Sequence, residues 1–262
     1  MPRLNSYHLP PGLWPGPESP HARLEGPEAR HLLGVLRAKP GDTLRLFDGQ
    51  GRFGLFTLAS AIGKDRADLL AQSLDSEPRP TSGLVLALGW NKSSRRDWVL
   101  EKAVELDALG LLFWAAARSQ GEPPPVVKDS WREKCVQAAK QCGSAWLPEL
   151  GIVAGGVEGL VRVAAEPGIG YDGGYAGLYM LDEAAPLDSV DALPDPLRLA
   201  TGKNLVVIGP EGGLERREAE RLARAGFQAL SLGPRPLRWE TAALYCLGLA
   251  HFAARTREHS RT

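Results

Sequence analysis

The pattern of apolar and polar positions divides the chain near residue 80. Before that point, "TLRLFDGQGRFGLFTLASAI" (43 to 62) holds two strand-like runs joined by Asp48, Gly49, Gln50 and Gly51, a glycine-bearing hairpin signal. Ahead of it, "PEARHLLGVLRAKPGD" predicts a short helix over 28–37, ended by Pro40 and Gly41. Together these predict a compact β-barrel with one helix over residues 1–75. "DSEPRPTSG" (75 to 83) then has the proline and polar content of a linker.

Beyond Gly83 strands alternate with helices, which predicts a parallel α/β sheet over residues 76–262. "LVLALGW" and "LGLLFWAA" (109 to 116) are continuous apolar runs, as expected of strands covered on both faces. Between them a helix is predicted from Ser94 to Leu109, with Val99, Ala103 and Leu106 at i, i+4 and i+7. Ser130 and Glu133 form a capping-box pair ahead of a stripe of Trp131, Cys135, Ala138 and Cys142, and Gly143 supplies a stop. Residues 151–177, rich in glycine and alanine, predict irregular structure or a weakly patterned helix. Further strands are read at "GLYMLDEAAPL" (177 to 187), "NLVVIG" and "ALSLG", and a last helix, apolar almost all round, runs from Thr241 to Ala254.

Charge changes this picture only locally. The formal net charge is zero, which removes a simple electrostatic case for nucleic acid but not a local basic face. Residues 151–200 carry two cationic side chains against eight acidic ones, whereas the last 32 residues carry five arginines and two glutamates. Three cysteines form neither a metal-spaced pair nor an even disulfide set, so Cys135, Cys142 and Cys246 read as reduced, packed thiols of a cytoplasmic protein. The N-terminal segment lacks the apolar core of a signal peptide, and Thr241 to Ala254 is too short to span a bilayer; no membrane is implied.

Candidate chemistry concentrates in two turns. "NLVVIGPEGGLERREAE" runs from a buried strand through Gly209, Pro210, Glu211, Gly212 and Gly213 into a charged helix, a general ligand-binding arrangement. It lacks GxGxxG and the P-loop lysine, and Glu211 would repel an anion, so a ligand that is neutral or cationic suits it better than a phosphate. A tight turn with a solvated glutamate is the alternative. "SLGPRPLRWETAAL" (231 to 244) repeats the design, from strand through glycine, past two arginines, into an apolar helix.

The pair "IGPEGGLERREAE" and "LGPRPLRWETAAL" resembles the C-terminal signature of the RsmE family, SPOUT-class enzymes that methylate N3 of a uridine in 16S ribosomal RNA. "HLLGVLRAKPGD", "RRDWVLEKAVEL" and "LYMLDEA" are similar to other segments of that family in the same order, so the likeness covers nearly the whole chain. It implies a PUA-like β-barrel followed by an α/β domain whose chain passes through a trefoil knot. It implies S-adenosylmethionine held by Leu181, Asp182 and Glu183, by Ile208, Gly209, Pro210, Glu211, Gly212 and Gly213, and by Leu232, Gly233, Leu237, Arg238, Thr241 and Ala242.

No metal is needed for such a methyl transfer. Arg238 is the candidate for stabilising negative charge on the base carbonyls, and Glu240 for acting as base or orienting that arginine. His31, Arg37, Arg95 and Arg96 are candidate RNA contacts, with solvated helix positions as the alternative. The resemblance also implies small-subunit ribosomal RNA, free or in the assembled 30S particle, as partner, and a homodimer packed through the last helix. A non-catalytic RNA-binding protein, or a knotted enzyme acting on a ribose hydroxyl or on transfer RNA, are the other functions compatible with the sequence.

Overall fold

The computed structural model describes residues 4–16, 18–92, 94–166, 174–182 and 201–259. The chain forms two compact units, Met1–Arg79 with Val136–Leu147, and Pro80–Cys135 with Pro148–Thr262.

In the first unit, β1 (Ser6–His8), β2 (His21–Glu25), β3 (Thr43–Phe47), β4 (Arg52–Ile62) and β5 (Arg66–Ser76) form a sheet in the order β1-β3-β4-β5-β2. Alternation along β3 and β4 turns Leu44, Leu46, Phe56 and Leu58 inward, where they pack with Tyr7, Leu24 and Leu69. The β3–β4 turn is built by Asp48, whose buried carboxylate accepts the backbone N–H groups of Gln50 at 2.7 Å and Arg52 at 3.0 Å. Residues 136–147 join this unit because Gly49 and Gln50 bridge to Trp146 and the Gly51 N–H donates to the Ala145 carbonyl at 3.0 Å. The helix expected over 28–37 is shorter: α1 (Gly26–Arg30) passes into a wider π turn over His31–Val35, and Arg37 adopts φ +54°.

The second unit contains β6 (Gly83–Gly89), α2 (Arg95–Glu105), β7 (Gly110–Trp114), the first half of α3 (Asp129–Cys142), β8 (Glu149–Val153), α4 (Gly156–Ala165), β9 (Gly177–Leu181), β10 (Lys203–Ile208), α5 (Arg216–Arg224), β11 (Gln228–Leu230) and α6 (Trp239–His259). Its sheet is parallel throughout, in the order β11-β9-β10-β6-β7-β8. All of β7 and β10 and nearly all of β6 are buried, as their unbroken apolar runs require. The order reverses between β6 and β10. From β6 the chain builds outward through β7 and β8, then returns to the other side for β9, β10 and β11, and crevices open at the carboxyl ends of strands at such a switch point.

Of the stretch 151–177, expected to be irregular or weakly helical, residues 151–153 instead end the edge strand β8, residues 156–165 form the helix α4, whose Leu160 and Val163 enter the sheet's core, and residues 167–173 lie outside the described residues. Cys142 does not lie with the buried stripe of Trp131, Cys135 and Ala138 but is exposed in the last turn of α3.

Candidate functional site

A cavity of about 580 Å³ opens at the carboxyl ends of β9, β10 and β11. β10 delivers its first wall. After Ile208 the chain reverses through a turn closed by the Gly213 N–H donating to the Pro210 carbonyl at 2.8 Å, with Gly213 at φ +71°. The turn lies against the end of β6, because the register pairs Leu88 with Ile208. A Cβ on Gly89 would come within 2.4 Å of Pro210 N, so only glycine fits there.

The turn is also fixed from its far end. Glu215 caps α5 in a reciprocal capping box, its own N–H donating to Glu218 Oε2 at 2.9 Å. Glu218 is buried, and its other oxygen accepts the Ala117 N–H at 2.9 Å, which ties the loop after β7 to the start of α5. Arg118 then lies over the turn and donates from Nη1 to the Gly212 carbonyl at 2.9 Å.

The second wall follows β11. The Asp182 N–H donates to the Leu230 carbonyl at 3.0 Å, joining the ends of β9 and β11. The buried Ser231 hydroxyl accepts the Gly233 N–H at 3.3 Å, and Gly233 takes φ +123°. Leu181, Ile208, Leu230, Leu232, Leu237 and Ala242 supply apolar lining, while Asp182, Glu211, Arg118, Arg216 and Arg235 place charges of both signs at the walls.

Of the residues expected to hold a cofactor, the cavity gathers Leu181, Asp182, Ile208, Gly209, Pro210, Glu211, Gly212, Gly213, Leu232, Gly233, Leu237 and Ala242. Glu183 lies outside the described residues. Arg238 and Thr241 are exposed beside the cavity rather than in its lining. Glu240 is buried and ion-paired with Nη1 of Arg95, which brings one catalytic candidate to one RNA candidate. Arg96 is held between the rings of Trp90 and Trp131, at 4.6 and 4.8 Å from their centroids, and burial pulls its guanidinium below the usual arginine range. In the first unit, His31 packs on Tyr7 with ring centroids 5.9 Å apart, and Arg37 is exposed.

Sequence reasoning did not reach Gly89, Arg118, Glu218, Ser231 or Trp239. The available signal was position, since Gly89 ends one apolar strand and Arg118 follows another. Burial pushes the thiols of Cys135 and Cys246 up to about 12, so neither is a nucleophile at neutral pH. Among the described residues no three potential metal ligands converge, and no helix is long and apolar enough to cross a membrane.

A cavity at the carboxyl ends of parallel strands is where α/β sheets bind ligands, and comparison with known proteins narrows the class. Residues 77–251 match the RNA methyltransferase domain and residues 24–71 the RNA methyltransferase PUA domain, so the class is that of two-module RNA methyltransferases. The chain is 33% identical over 232 residues to the ribosomal RNA small subunit methyltransferase E of Mycobacterium bovis, covering 87% of this chain and 84% of that protein. Its fold matches a Legionella pneumophila chain described as a methyltransferase in complex with S-adenosylmethionine, with a TM-score of 0.77 and 26% identity over 96% of this chain and 98% of that one. It also matches ribosomal RNA small subunit methyltransferase E from Neisseria gonorrhoeae bound to S-adenosylmethionine, with a TM-score of 0.70 and 25% identity over 94% and 96% of the two chains. The chain belongs to the ribosomal RNA small subunit methyltransferase E family.

Proposed function

We propose that this protein transfers a methyl group from S-adenosylmethionine to N3 of a uridine in 16S ribosomal RNA. The observation that carries the reading is the cavity walled by two glycine turns at the carboxyl ends of β9, β10 and β11, in a chain of this family. Its volume, about 580 Å³, falls within the range of small-molecule sites. Leucine and isoleucine side chains offer faces for an adenine, the turns offer backbone groups to its edge, and Asp182 and Glu211, set against Arg118, Arg216 and Arg235, suit a ligand carrying charges of both signs. When bound there, the cofactor supplies an electrophilic methyl group.

The protein's own task is to bring the uracil ring to the mouth of the cavity and stabilise N3 as its proton passes to solvent. Arg238 is exposed beside that mouth and has no protein partner among the described residues, so its guanidinium is free to meet the base carbonyls. Glu240 is better suited to holding Arg95 than to taking the proton, since a buried carboxylate separated from its counter-charge is costly. Arg95 then serves the RNA from the start of α2, and His31 and Arg37 serve it from the barrel.

We place the reaction in the cytoplasm, on the 30S particle, and assign the protein a homodimeric state. Tyr245, Leu249 and Phe252 recur at i, i+4 and i+7 on α6, with Tyr245 and Phe252 at 49% and 69% exposure, an apolar stripe suited to a second copy. The knotted path of the family is inferred at β9, β10 and β11, where β11 follows β10 in sequence yet pairs with β9.

The test is methylation of 30S particles lacking the modification, with the product nucleotide mapped by mass spectrometry. Uridine carrying a methyl group at N3 is the expected product. Methyl transfer to ribose or to transfer RNA instead would overturn the reading. Arg238→Ala is expected to lower kcat about 100-fold with an unchanged melting temperature.

A further inference from the structure

The order of the sheet gives the cavity two sides. Leu181, Leu230 and Leu232, with Arg235 beyond them, lie at the ends of β9 and β11 on one side, whereas Arg118 follows β7, which lies beyond β10 and β6 on the other. Arg118 comes from neither glycine turn. Its one protein contact among the described residues is Nη1 on the Gly212 carbonyl, which leaves the other guanidinium N–H groups without a protein acceptor.

The loop that carries Arg118 is held before any ligand arrives. The Ala117 N–H is bound by the buried Glu218 carboxylate at 2.9 Å, and the Ala116 N–H and carbonyl are both engaged by Ser119 at 2.9 Å. A side chain of this kind, exposed at its tip and anchored at its base, is a prepared site for a planar anion. Apolar walls at the far end suit a flat heterocycle and this end suits a carboxylate.

We propose that Arg118 binds the carboxylate of the amino-acid end of the methyl donor, with the adenosine end against the leucines. The proposal rests on the methyltransferase reading and adds to it the direction in which the donor lies. S-Adenosylhomocysteine and 5′-methylthioadenosine share the adenosine and thioether but differ in the amino-acid end, so the pair isolates the contact.

Isothermal titration of the full chain with both compounds tests it. Arg118→Ala is expected to weaken S-adenosylhomocysteine about tenfold or more and to leave 5′-methylthioadenosine within about twofold, with Arg118→Lys between the two. Equal weakening of both compounds would overturn the proposal, because Arg118 would then act only by holding the Gly212 turn. Unchanged binding of both, with a raised KM for the RNA, would overturn it in favour of a phosphate contact. A wild-type chain that binds neither compound would instead overturn the methyltransferase reading, and this inference with it.

Discussion

The two turns that wall the cavity look alike in sequence and are fixed in different ways. The turn after β10 is held from outside: by the end of β6 at Gly89, by Arg118 over Gly212, and by the capping box of α5 with its link to Ala117. The turn after β11 is held mainly from within, by Ser231 and Gly233, and then exposes Pro234, Arg235, Pro236 and Arg238. One turn is a rigid template set by distant parts of the sheet. The other is a local loop that presents cations beside the opening, a division suited to a site that must grip a small ligand and admit a large one.

Substitutions at Gly89, Glu218 and Gly233 separate the two cases. Gly89→Ala should do most damage, since its Cβ would lie 2.4 Å from Pro210 N and 2.7 Å from the Gly209 carbonyl carbon, both backbone atoms. A loss of about 3 kcal/mol in unfolding free energy is expected, together with at least about tenfold weaker binding of S-adenosylhomocysteine. Normal binding in a folded Gly89→Ala protein would show that β6 does not set the turn.

Glu218→Ala strips acceptors from the N–H groups of Ala117 and Glu215, and should lower stability by about 2 kcal/mol in urea unfolding, with Glu218→Gln recovering part of it. Gly233→Ala should cost least, about 1 kcal/mol from its φ of +123°, because open space surrounds the added methyl group. If Gly233→Ala proved as harmful as Gly89→Ala, the contrast between the turns would fail.

What the sequence could reveal follows the same division. β6, β7 and β10 were legible because a strand buried on both faces must be apolar throughout, and the glycine turns were legible because their residues are consecutive. β8 was not, since it is a half-buried edge strand with glycine at 151, where a Cβ would meet Leu112 Cδ2 at 2.7 Å. Ala117 and Glu218 are separated by 101 positions and meet only through the crossover order of the sheet. Cys142 fits the helical period of its buried neighbours, but burial ends before the helix does. Periodicity reports which face a residue shares and not how far the covering surface extends.

At Gly89 and Pro210 main chain rests on main chain. Nothing flexible stands between the two segments, so a bulkier residue at 89 could not be relieved by trimming a neighbour. The leucines of the cavity, by contrast, can exchange volume among themselves. Mutational drift in this enzyme should therefore reshape the lining long before it touches the seam between these two strands, and a redesign for a different methyl donor has room in the former and none in the latter.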